Sequence, residues 1–142
     1  MNTTELNKEL KVLIADDDKD DWYFVDLAFK ELGTGHKIHF VINGEELMRR
    51  LENIHSSGME EMPDLILLDL NMPKKDGREA LKEIRNDSRF TDLNIIIYST
   101  TISDQDKEYT RSLGVSQHIT KPSDFSELVR LLRDISEAVA IA

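Results

Sequence analysis

Apolar residues along this 142-residue chain fall into five short blocks: Val12-Leu13-Ile14-Ala15, Ile38-His39-Phe40-Val41-Ile42, Leu65-Ile66-Leu67-Leu68, Ile95-Ile96-Ile97-Tyr98 and His118-Ile119-Thr120. Each is rich in β-branched residues or leucine, and three are apolar throughout. Strands of a parallel sheet, covered on both faces, carry that pattern. Between the blocks the apolar spacing changes to three and four. Val25, Ala28, Phe29 and Leu32 share one helical face, as do Leu47, Leu51 and Ile54, then Ala80, Leu81 and Ile84. The last face is the longest: Phe125, Leu128, Val129, Leu132, Ile135 and Val139.

Polar punctuation refines the helices. Ser103 with Asp106 three residues on reads as a capping box for a fourth helix, and Ser123 can cap the fifth. That fourth helix, Asp104 to Leu113, offers only Tyr109 and Leu113 as buried candidates, so it should be the most loosely held. His55 to Met62, with Ser56, Ser57 and Gly58, reads as a loop. The alternation βαβαβαβαβα, wound by right-handed crossovers, predicts a three-layer α/β/α sandwich, (βα)5, around a five-stranded parallel sheet.

Composition narrows the function. Eighteen basic against twenty-eight acidic side chains give a net charge of −10, which repels phosphate backbones and anionic lipid, so nucleic acid and membrane are not expected partners. The absence of cysteine excludes disulfides, thiolate catalysis and cysteine-ligated metals, and suits a reducing compartment. No apolar run approaches the roughly 18 residues of a spanning helix, and Met1 to Leu10 does not read as a signal peptide. A cytoplasmic location is expected.

The predicted strands deliver their polar residues to one edge. Asp16, Asp17 and Asp18 follow the first strand, Asp69 the third, Ser99 ends the fourth and Lys121 the fifth. In open α/β sheets the carboxyl edge is where ligands bind. Carboxylates about 4 Å apart repel by roughly 4 kcal/mol at an effective dielectric of 20, and a divalent cation would remove that cost. A few oxygen ligands without sulfur or histidine suit Mg2+. Lys121 and Ser99 would then serve phosphate oxygens, with Asp69 as candidate nucleophile for an acyl phosphate. The acidic run Asp16 to Asp21 can equally be a solvated helix start.

Ile14-Ala15-Asp16-Asp17, Leu67-Leu68-Asp69-Leu70-Asn71-Met72-Pro73 with Asp76-Gly77, the strand ending at Ser99, and Thr120-Lys121-Pro122 resemble the motif set of response-regulator receiver domains. The resemblance runs from about Lys11 to Ile135 and implies the flavodoxin-like strand order 2-1-3-4-5, an order the chemotaxis receivers exemplify. It places an N-terminal extension at 1–10, the receiver domain at 11–138 and a C-terminal tail at 139–142. It implies phosphorylation of Asp69 by the phosphohistidine of a sensor kinase or phosphotransfer protein. Asp16, Asp17, Asp69 and the backbone carbonyl of Asn71 would bind Mg2+, Lys121 would pair with the acyl phosphate, and Ser99 would close over the phosphoryl group. A cis bond before Pro122 is also implied.

Asn71 to Glu79, the longer loop near Ser57 and Ser99-Thr100-Thr101 resemble the single-domain regulators that often accompany phytochrome-type kinases. Receivers commonly carry tyrosine or phenylalanine where His118 stands, so His118 is a candidate switch alongside Ser99; a fixed surface contact is the alternative. The expected output is contact with a downstream protein, with no enzymatic activity beyond the chain's own phosphorylation and slow dephosphorylation. A haloacid-dehalogenase-type phosphohydrolase and a constitutive interaction domain are the other readings. Val139, Ala140 and Ile141 extend the apolar helix face, either as a homodimer surface or as a frayed end.

Overall fold

A computed structural model describes residues 9–141. Five strands, β1 (Lys11–Ala15), β2 (Lys37–Val41), β3 (Leu65–Leu68), β4 (Ile95–Ser99) and β5 (His118–Thr120), alternate with five helices. These are α1 (Lys19–Leu32), α2 (Gly44–Ser57), α3 (Gly77–Arg85), α4 (Asp104–Ser112) and α5 (Phe125–Ile141). All strand pairs are parallel, in the order β2-β1-β3-β4-β5. The (βα)5 sandwich expected from the sequence is therefore the fold.

Alternation within the strands separates two apolar layers. Leu13, Ala15, Ile66, Leu68, Ile95 and Ile97 pack against α2 and α3 through Leu47, Leu51, Leu81 and Ile84. Val12, Ile14, Leu65, Leu67, Ile96 and Tyr98 face the other side, against Val25 and Phe29 of α1 and Leu128, Leu132 and Ile135 of α5. The central strand β3 is buried at every position, whereas the edge strand β2 is half-exposed at Ile38 and Phe40. Trp22 stacks on Phe40, their ring centroids 5.1 Å apart, and covers part of that edge.

Caps fix where the helices start. Asp18, Asn43, Asp76 and Ser103 each accept a hydrogen bond from a backbone N–H of their own first turn. The Ser103–Asp106 capping box forms as the sequence predicts. Two expectations change. Asp124, not Ser123, caps α5, accepting from the Ser126 N–H. Residues 55–57 are the last turn of α2 rather than loop, because Ser56 and Ser57 satisfy helix carbonyls with their hydroxyls and the helix runs on to Gly58 at φ 63°.

On α4, Tyr109 and Leu113 stay partly exposed, and the fully buried residue is Thr110, whose hydroxyl donates to the Asp106 carbonyl. Of the expected extension at 1–10, residues 1–8 lie outside the described residues, and Leu10 is fully buried in the core. Helix α5 runs through the expected tail to Ile141. Val139 and Ala140 pack partly against the chain's own core, while Ile141 is 67% exposed. Among the described residues no helix is long and apolar enough to cross a membrane.

Candidate functional site

The connections leave β1 in opposite directions, so the carboxyl ends of β1 and β3 open a crevice. Register places the acids there. Ala15 pairs with Leu68, the Asp69 N–H donates to the Ala15 carbonyl at 3.0 Å, and Asp16 and Asp69 emerge side by side. Ser99 pairs with Thr120, and the Lys121 N–H donates to the Ser99 carbonyl at 3.0 Å, which brings the hydroxyl and the ammonium to the same edge. Asp17, Asp69, Asn71, Thr100 and Lys121 line the opening.

Asp69 is held at both oxygens. Oδ1 accepts from the Ser99 hydroxyl at 2.7 Å and from the Asn71 N–H at 2.9 Å; Oδ2 accepts from Lys121 Nζ at 2.7 Å. The Asn71 side-chain amide donates to Ser99 Oγ at 3.3 Å, so one hydroxyl links Asn71 to Asp69. Lys121 Nζ also donates to Asp21 at 2.7 Å and stands 2.8 Å from Asp16 Oδ2. The ring of Tyr98 lies beneath it, 5.7 Å from Nζ to centroid.

Asp16 is the least satisfied member. Its Oδ1 accepts from the Asp18 N–H at 3.0 Å. Its Oδ2 forms an ion pair with Lys121 at 2.8 Å, at angles outside hydrogen-bond geometry. Among the described residues it is the one buried side-chain polar atom without a hydrogen-bond partner. Burial pushes the Asp16 carboxyl up to about 6, against the opposing pull of the Lys121 ammonium. Burial alone would lower Lys121, but its hydrogen bonds to Asp21 and Asp69 and its ion pair with Asp16 carry it well above the ordinary lysine range.

One oxygen from each of Asp16, Asp17 and Asp69 lies within 4.8 Å of the others. An orphaned, buried carboxylate oxygen beside two more hard oxygen donors fits a divalent cation.

His118 lies apart from the crevice. It is half-buried, and its Nε2 is hydrogen-bonded to the hydroxyl of buried Thr110 on α4. Burial lowers its pKa, and Arg111 and Lys107 lower it further. No peptide bond among the described residues is cis, so the bond before Pro122 is trans, contrary to expectation. Trans is the lower-energy form before proline, and Lys121 reaches all three carboxylates from it.

Sequence reasoning passed over Asp21, Tyr98 and Trp22, whose indole N–H donates to the Asp16 carbonyl at 2.7 Å. A helical signal for Asp21 was present: it follows Asp17 by four residues, one turn into α1.

The chain matches the family model of the response regulator receiver domain over residues 12–133. It belongs to that family. Its fold superposes on the phosphorylated cyanobacterial phytochrome response regulator RcpA with a TM-score of 0.81, at 34% identity, covering 92% of this chain and 93% of that one. The Mn2+-bound form of response regulator Rcp1 superposes with a TM-score of 0.77 at 28% identity, covering 89% and 91%. In sequence, Rcp1 of Synechocystis sp. is 29% identical over 131 residues, covering 92% of this chain and 89% of its own length. The probable methanogenesis regulatory protein FilR2 of Methanothrix harundinacea is 29% identical over 126 residues, covering 89% and 81%. The protein is thus a receiver of the two-component signalling family, related to the phytochrome response regulators.

Proposed function

We propose that Asp69 accepts a phosphoryl group from the phosphohistidine of a sensor kinase or phosphotransfer protein, with Mg2+ in the crevice, and that the phosphorylated chain signals by contact with a downstream protein. The convergence of three strand ends on Asp69 carries this reading: Ser99 and Lys121 touch its two oxygens, and Asp16 and Asp17 stand beside it. In the transfer the phosphorus–nitrogen bond to histidine breaks as a phosphorus–oxygen bond to Asp69 forms.

The chain's own residues then act as follows. Ser99 and the Asn71 N–H hold the carboxylate in one orientation, which pre-aligns the nucleophile. Lys121 places a fixed positive charge where phosphoryl oxygens arrive. Held by Asp16, Asp17, Asp69 and the Asn71 carbonyl, Mg2+ would supply further charge neutralisation for the incoming group.

Similarity to RcpA, a phytochrome response regulator, supports a phytochrome-type kinase as the source of the phosphoryl group. Reducing-compartment composition supports a cytoplasmic setting. The hydrolase alternative needs a second acid two residues after the nucleophile; that residue is Asn71, whose amide donates to Ser99 and cannot exchange a proton with substrate.

Incubation with acetyl phosphate and Mg2+, followed by intact-mass measurement, tests the reading. Wild type should gain one phosphoryl group, and Asp69→Asn, nearly isosteric and folded, should gain none. Labelling retained in Asp69→Asn, or no labelling of wild type, would overturn it; turnover of an added phosphate ester would favour a hydrolase.

A further inference from the structure

The Lys121 ammonium has three N–H donors and three carboxylate neighbours, yet the neighbours are not equivalent. Two N–H groups are aligned, on Asp69 and on Asp21; Asp16 receives proximity without alignment. Asp21 projects from the first turn of α1 at the crevice rim, with 27% of its side chain exposed against 9% for Lys121. The ring of Tyr98 closes the lysine's other side. The ammonium is thus shared among three carboxylates at 2.7 to 2.8 Å, and Asp21 takes one of the two hydrogen bonds while Asp16 Oδ2 is left with an ion pair alone.

We propose that Asp21 is a positioning residue for the metal centre: by taking one N–H of the Lys121 ammonium, it weakens that ammonium's hold on Asp16 and Asp69, the carboxylates a divalent cation needs. This rests on reading the crevice as an Mg2+-dependent phosphoacceptor site. Lys121 and the cation compete for the same two carboxylates. Without Asp21 the N–H it holds would be free to turn to Asp16 Oδ2, and the cation would have to displace a hydrogen-bonded ion pair rather than the bare one. Asp21 therefore acts through Lys121, and its contribution should vanish when Lys121 is removed. A carboxylate acting only by its field would contribute the same with or without the lysine.

The test is an Mg2+ titration of the full chain in 0.15 M salt, followed by the emission of Trp22. It is the single tryptophan of the chain, and it is bonded to the Asp16 carbonyl. Calorimetry provides a second readout independent of the indole. Asp21→Asn should raise the Mg2+ Kd about fivefold, while Asp20→Asn, an exposed acid in the same helical turn, should change it less than about twofold because salt screens it. In a Lys121→Met background, Asp21→Asn should change Kd by less than about twofold; Lys121→Gln gives the same comparison if methionine impairs folding.

An Asp21→Asn Kd within about twofold of wild type, or the same shift in both lysine backgrounds, would overturn the positioning role. Failure of wild type to bind Mg2+ would instead overturn the functional reading on which it rests.

Discussion

Ser99 donates its hydroxyl proton to Oδ1 of Asp69 across 2.7 Å, and both side chains are buried. The strand-four hydroxyl therefore already touches the candidate phosphoacceptor before any phosphoryl group is present. Ser99→Ala removes that donor and orphans the Asn71 amide. It should lower stability by about 1 kcal/mol in urea unfolding, while Asp69 still labels with acetyl phosphate because its other oxygen keeps Lys121. Loss of labelling would make Ser99 essential to the chemistry rather than to orientation.

Burial holds Asp16 at about 6, above the ordinary carboxylate range. A raised carboxyl pKa means that the ionised form is penalised in the folded, metal-free protein. The stability this group contributes is full below about pH 4 and is lost as the pH rises through 6. Metal-free Asp16→Asn should therefore be more stable than wild type at pH 7.5, by on the order of 2 kcal/mol, and the gap should close at pH 4. Urea unfolding at the two pH values measures it; a constant gap would contradict the assignment. Protons also compete with the metal, so Mg2+ affinity should fall as the pH drops through 6.

Lys74, between Pro73 and Lys75 in the loop after β3, adopts φ 60°. A side chain in this left-handed region costs roughly 1 kcal/mol that glycine does not incur. Lys74→Gly should raise the urea midpoint, and Lys74→Val, with its branched Cβ, should lower it. Equal midpoints for the two variants would show that the loop relaxes around the strain.

Arg78 reaches from α3 to α4. Its guanidinium forks onto Asp106 at 2.7 and 3.0 Å and also donates to the Leu70 carbonyl, the residue after Asp69. Hydrogen bonding to Arg78 lowers the Asp106 pKa and raises that of Arg78. Asp106→Asn should speed amide exchange across Asp104–Ser112 with little effect on α2 or α5. Uniform acceleration over the whole domain would mean that α4 is not separately held.

The β-blocks, the helix faces and the residues Asp16, Asp17, Asp69, Ser99 and Lys121 were all legible because each lies on or next to a strand, where a period of two and the carboxyl-edge rule locate side chains without knowledge of packing. Asp21 and Tyr98 were not. Asp21 meets Lys121 across a hundred residues through the phase of a helix, and Tyr98 reads as another buried strand residue until the ammonium is seen above its ring. His118 was legible as a departure in residue type, but its partner, Thr110, was hidden on a helix whose apolar pattern is too weak to show which side faces the sheet.

The glycines around the β3–α3 loop give the crevice a stiff wall. The Gly44 N–H donates to the Lys75 carbonyl and the Gly77 N–H to the Leu70 carbonyl, and a Cβ at either glycine would collide with backbone. Helix α4, by contrast, is held by one buried threonine, bonded to His118, and by the Arg78 guanidinium fork. A displacement begun at Asp69 would meet paired backbone on the glycine side and only side-chain attachments at α4, so α4 is the element expected to move. The direction of any such movement would be set by where the molecule cannot yield.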